Sequence, residues 1–126
     1  MKAILINPNK KTIEIVECDG SLKDIYQLLD CETIQSIVHY SNTDTMYGNE
    51  NGYGWMEWSK SNAQAGFKFP DWVYPVLGKC LIVGEDQRGH PQETTFTQES
   101  LTKLSKEIEW KTWFEMSAWG RKSGLI

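Results

Sequence analysis

Cys80 and His90 are the pair of side chains in this sequence that could form a thiol–imidazole nucleophile, with the turn sequence Asp86-Gln87-Arg88-Gly89 lying between them. The plainer reading makes Cys80 a small buried hydrophobe and His90 a hairpin-tip imidazole. The remaining histidine, His39, falls on a different predicted element. The carboxylates Asp44, Glu50, Glu85 and Asp86 are scattered near predicted turns, where acids serve solubility and local hydrogen bonds. A divalent-cation site would need several of them to converge. No phosphate-cradling glycine loop, dinucleotide fingerprint, paired-histidine zinc motif, nucleophile elbow or calcium loop occurs anywhere in the chain. The expectation is a protein without catalytic residues, cofactor or metal.

Two groups of residues point to binding instead. In Tyr47-Gly-Asn-Glu-Asn-Gly-Tyr-Gly-Trp55, glycines let backbone approach closely while aromatic rings flank them. Tyr47, Tyr53 and Trp55 could there stack a base or nucleoside, with Arg88 supplying a guanidinium fork. The same loop read plainly is a hairpin with cross-strand aromatics. The second group is the tryptophans. Six Trp, five Tyr and four Phe are more than one core of this size readily takes, because each indole must also place its N–H. Trp55, Trp58, Trp110, Trp113 and Trp119 are therefore candidates for a partner-facing surface, Trp being common at interface hot spots. Trp113 leads, since it sits amid Glu109, Lys111 and Glu115 on the outer face of a predicted strand whose inner face carries Ile108, Trp110, Phe114 and Met116.

The elements that must position these residues follow from periodicity and turn chemistry. Lys2–Asn7 and Thr12–Cys18 read as a hairpin around Asn7-Pro8-Asn9-Lys10. Ser21 caps a helix running to about Asp30, with Leu22, Ile25, Leu28 and Leu29 at helical spacing. Thr33–Ser41 is a strand with Ile34, Val38 and Tyr40 on one face and Ile37 and His39 on the other. Asn42-Thr43-Asp44 turns the chain into Thr45–Gly48, and Tyr53–Trp58 follows across an Asn-Gly turn. Residues Ser59–Gly66 read as a surface loop, and the prolines of Pro70–Pro75 exclude a helix interior or central strand. Lys79–Gly84 is the most hydrophobic run of the second half, an inner strand. A turn over Glu85–Pro91 leads into Glu93–Thr97 as the strand that follows, and Thr97 caps a helix to about Lys106. The tail alternates with period two, so a strand is expected there rather than more helix. Together these make an α+β fold, a mostly antiparallel sheet of hairpins with two short helices. A sheet face left uncovered by the helices would need another cover, which the surplus aromatics could supply by self-association.

At 126 residues the chain has room for one domain, 1–126, whose core can hold without disulfides. Thirteen basic against seventeen acidic residues leave a net charge of −4 and no basic stripe, which argues against direct nucleic-acid binding. No apolar run is long enough for a membrane span. Three cysteines without a Cys-x-x-Cys pair, and an N-terminal apolar run too short for a signal peptide and closed by Pro8, suit a reducing cytoplasm.

The opening Met-Lys-Ala-Ile-Leu-Ile-Asn-Pro, the Ile-Glu-Ile-Val-Glu that follows, the helix Leu22–Cys31 and the late Gly78-Lys-Cys-Leu-Ile-Val-Gly-Glu-Asp86 with Gly89 resemble an uncharacterised domain family of phages and mobile elements, one of the "domain of unknown function" series. The resemblance covers Met1 to about Leu104 and brings no catalytic residues with it. It implies a small phage protein in the cytoplasm of a bacterial host. By analogy with accessory genes of that kind, the expected function is non-enzymatic binding that inhibits a host anti-phage defence protein through an acidic, aromatic-rich surface. The alternative is a sponge that sequesters a signalling nucleotide in the Tyr47–Trp55 loop.

Overall fold

The structure, a computed structural model, describes residues 1–40, 43–50, 65–72 and 75–112. Its first hairpin joins β1 (Lys2–Asn7) to β2 (Thr12–Glu17) in the register Asn7↔Thr12 to Lys2↔Glu17. The turn closes because the Asn7 side-chain oxygen accepts from the backbone N–H groups of Asn9 and Lys10, an Asx-type turn. Helix α1 (Leu22–Leu29) starts where Ser21 accepts from the Asp24 N–H and stops at Asp30, whose left-handed backbone ends the helical run.

The chain then adds β3 (Ile34–His39), β4 (Asp44–Asn49), β5 (Ala65–Lys68), β6 (Val76–Leu77), β7 (Cys80–Glu85), β8 (Pro91–Gln92), helix α2 (Gln98–Glu107) and β9 (Glu109–Thr112). All pairings among the described strands are antiparallel. The large sheet runs β2-β1-β7-β4-β3, with β8 added beside β7, and a small sheet runs β6-β5-β9. Lys79–Gly84 is thus the central strand its hydrophobicity implied, and the α+β reading holds. Thr97 caps α2 in a reciprocal box with Ser100.

Each face of the large sheet carries a core. On one, Ala3, Leu5, Leu81 and Val83 pack under Ile25 and Leu29 of α1. On the other, Ile4, Ile6, Met46, Cys80 and Ile82 meet Phe67, Phe69 and Val76 from the small sheet and its flank, and Leu101 and Ile108 from α2 and its end. The helices therefore lie on opposite faces. The cover assigned to self-association comes from the chain itself, through rings of Phe67, Phe69, Trp72 and Trp110 in mutual edge and tilted contact.

Four expectations need correction or restriction. Ala65 and Gly66 belong to a strand rather than a loop, because the chain pairs there on both sides, Gly66 with Leu77 of β6 and with Lys111 of β9, and Ala65 with Thr112 of β9. Glu93–Thr97 forms no strand: β8 ends at Gln92, and the segment crosses β7 at Gly84, where an added Cβ would lie 2.2 Å from the Glu93 carbonyl oxygen. The pairing of β3 with β4 shifts between Ser36 and Val38, a bulge that leaves Ile37, Val38 and Tyr40 on the small-sheet side. It puts Ile34 and His39 on the α1 side, so the expected alternation inverts partway along the strand. The Tyr53–Trp58 strand and the tail beyond Thr112 lie outside the described residues.

Candidate functional site

Helix α1 covers the β1 and β7 columns of its face of the large sheet and leaves the β3 and β4 columns partly open. Strand geometry decides what stands there, since successive side chains alternate between faces. Thr45 pairs with Val83 and Tyr47 with Leu81, both α1-side residues, so Thr45 and Tyr47 point the same way. Ser36 pairs with Tyr47 and His39 with Thr45, which brings them to this face from β3. Glu85, two residues past Val83 on β7, completes the group. Ser36 and His39 are exposed, Tyr47 and Glu85 half-buried, and Thr45 buried beneath them.

These polar groups bond to one another. The Tyr47 hydroxyl donates to Glu85 Oε1, and Thr45 Oγ1 lies 3.3 Å from His39 Nδ1. The first bond fixes how the ring lies. Glu85 stands four residues along β7 from Leu81, the register partner of Tyr47, about 13 Å at the usual rise of a strand. The two side chains meet only by leaning toward each other over the Thr45–Val83 pair. The Tyr47 ring thus packs at the edge of the α1-side core while the residue stays half-exposed. Burial, and then the Glu85 carboxylate that accepts its proton and repels a phenolate, push the Tyr47 hydroxyl well above the ordinary tyrosine range.

Among the other candidates, the structure brings few together. Arg88 sits exposed in the β7–β8 turn, where its backbone N–H donates 2.8 Å to Asp86 Oδ1. Trp110 is half-buried, with its ring 6.4 Å from that of Phe67 in the core between the sheets. Tyr53, Trp55, Trp58, Trp113 and Trp119 lie outside the described residues. Cys80 is buried in the core and His90 is 70% exposed on its turn beside Asp86, so they form no nucleophile pair. Burial pushes the Cys80 thiol up, which keeps it protonated and unreactive.

The carboxylates divide among structural tasks. Asp44 is buried and accepts from the hydroxyls of Thr94 and Thr95 and from the Thr95 N–H, stapling the crossing segment to β4. Asp86 accepts from the N–H groups of Arg88 and His90, and these bonds hold its carboxyl below the usual range. Glu50 is exposed at the end of β4. Among the described residues, no three metal-ligating side chains gather. No described helix is long and apolar enough to cross a membrane.

Sequence reasoning reached Tyr47 but not its neighbours Ser36, His39, Thr45 and Glu85. The alternation Thr45-x-Tyr47-x-Asn49 was available as a signal for the β4 half. The β3 half was hidden by the bulge, which moves His39 onto this face only once register is known.

The chain is a two-sheet α+β domain with one helix on each face of the large sheet, and beside α1 it presents a half-face of hydroxyl, imidazole, phenol and carboxylate groups. The chain belongs to the family Domain of unknown function (DUF3846), whose model matches residues 1–109, from β1 to the first residue of β9. No curated protein and no solved structure matches it.

Proposed function

We propose that this protein acts by binding another protein, as a phage-encoded accessory that occupies and inhibits a host defence protein in the bacterial cytoplasm. The carrying observation is the open half-face beside α1. Its polar side chains are already paired, Tyr47 with Glu85 and His39 with Thr45, which holds them in fixed positions as a recognition surface requires. The thiols support a role outside chemistry, since Cys18 and Cys80 are buried, Cys31 is half-buried, and desolvation raises all three. The net charge of −4 supports a basic or neutral partner surface.

The packing of Trp72 and Trp110 into the core shifts the weight of the reading. Within the described residues, recognition falls to Tyr47 and its polar neighbours rather than to a tryptophan patch. The test is affinity capture of tagged protein from host cells, comparing the parent with Ser36→Arg, which places a long cation on an exposed position of the half-face. The expected result is a host protein recovered in near-equal amount with the parent and reduced about tenfold with the variant. Recovery of no protein, or equal recovery with both, overturns the reading.

The nucleotide sponge is a second reading, favoured by the half-exposed Tyr47. Against it stands the Glu85 carboxylate at the end of β7, which repels a phosphate. A thermal-shift series with cyclic and ADP-ribose-type nucleotides decides it: a rise in melting temperature that Tyr47→Leu abolishes supports the sponge, and no rise removes it.

A further inference from the structure

The hydrogen-bonding capacity of the half-face is unbalanced. The one hydroxyl proton of Tyr47 is committed to Glu85 Oε1, leaving the second carboxylate oxygen and the phenol lone pairs as acceptors. Among the described residues, no lysine, arginine or histidine makes an ion pair with Glu85. The neighbouring Asp86 is engaged by its own turn, accepting from the Arg88 and His90 N–H groups with the His90 ring 3.5 Å away, so Glu85 carries the charge of this face. The surface therefore offers acceptors, negative charge and the side of an aromatic ring, and calls for a group that is planar, cationic and rich in donors.

Guanidinium meets all three requirements. It stacks on aromatic faces, it is less strongly hydrated than an ammonium, and its fork can take a carboxylate oxygen while lying flat on a ring. An ammonium would satisfy the charge but not the planar contact. A nucleobase would satisfy the planar contact but would carry its phosphate toward Glu85. Addition of a partner strand along β3 is opposed by the bulge at Ser36–Val38, which breaks the register a pairing strand would need.

We propose that the half-face receives an arginine side chain of the partner protein, with its guanidinium seated against the half-exposed Tyr47 ring and paired to the Glu85 carboxylate. This rests on the protein-binding reading and names the chemistry of the partner. Arginine is among the residues that dominate interface energetics, and a ring beside a carboxylate that makes no ion pair among the described residues is the complement it needs.

The test is a titration of the isotopically labelled full chain, followed by NMR, with three probes: the capped tripeptide Gly-Arg-Gly, its lysine counterpart, and adenosine monophosphate. The arginine peptide is expected to move the signals of Ser36, His39 and the Tyr47 ring saturably, binding at least about threefold more tightly than the lysine peptide. Glu85→Gln is expected to weaken it about tenfold. Tyr47→Leu also strips a ring from the α1-side core, so Glu85→Gln, at the half-exposed end of β7, is the decisive variant. Equal binding of the lysine peptide, preference for adenosine monophosphate, or no saturable change at these residues overturns the proposal. In the capture experiment, release by Ser36→Arg but not by Glu85→Gln overturns the guanidinium assignment and leaves the binding reading standing. Release by neither overturns both.

Discussion

Tyr40 and Tyr47 occupy opposite faces of the large sheet, and both are held as neutral phenols. Burial pushes the Tyr40 hydroxyl up to about 12, with its ring edge-on to Phe96 at a centroid distance of 5.1 Å. An unfolded tyrosine ionises near 10, so folding binds the phenolic proton more tightly than the unfolded chain does. The resulting stability is fully present below about pH 10 and is lost as pH rises toward about 12. The raised cysteine thiols act in the same direction, beginning from their ordinary value of about 9. The urea midpoint should therefore fall across this alkaline range, and Tyr40→Phe should flatten part of the fall. Ionisation of all five tyrosines together near their ordinary value in the folded protein, read from phenolate absorbance, would contradict the assignment. Of the candidate site, only Tyr47 was legible at this scale. A single residue's position says nothing of cross-strand neighbours until register is fixed, and the register of β3 turns on one bulge.

At the scale of elements, both helices were readable because their caps are local chemistry. Ser21 and Thr97 each accept from the N–H three residues on, and those spacings stand in the sequence. The hairpin β1–β2 and the central β7 were readable for similar reasons. The short strands β5 and β6 were not, since Ala65-Gly66 and the proline-flanked Val76-Leu77 become strands only through tertiary pairing. The extended 93–97 segment has no ladder and is held instead by Asp44. Asp44→Asn replaces one of two accepting oxygens with a donor that faces the N–H and hydroxyl of Thr95. The substitution should cost about 1–3 kcal/mol in denaturant unfolding. Faster hydrogen exchange at Thr95 and Phe96, with β1 and β2 unchanged, would place the damage in the crossing segment. Unaltered stability and exchange would show that Asp44 is not the staple.

The whole molecule is two cores sharing one sheet, and the aromatic surplus divides accordingly. Phe67 is fully buried and its ring meets Phe69, Trp72 and Trp110, so these rings close the second face of the sheet from within the chain. Phe67→Ala should cost about 3–5 kcal/mol, a large share of the roughly 5–15 kcal/mol that holds a typical domain together. A loss below about 1 kcal/mol in equilibrium unfolding would mean that the small sheet is not part of the cooperative unit. Composition announced the aromatics but not their destination, because an amphipathic ring suits a core and an interface equally. Among the described residues, the half-face beside α1 gathers exposed and half-buried polar side chains, and on it rests the proposal that this protein works by binding. Photo-crosslinking in host cells, with a photoreactive residue at Ser36 and separately at Glu99 on the exposed side of α2, tests that claim most directly. The account predicts a discrete crosslinked host protein from Ser36, lost when Glu85→Gln is added, and none from Glu99. Crosslinks of equal yield from both positions, or none from Ser36, would contradict it.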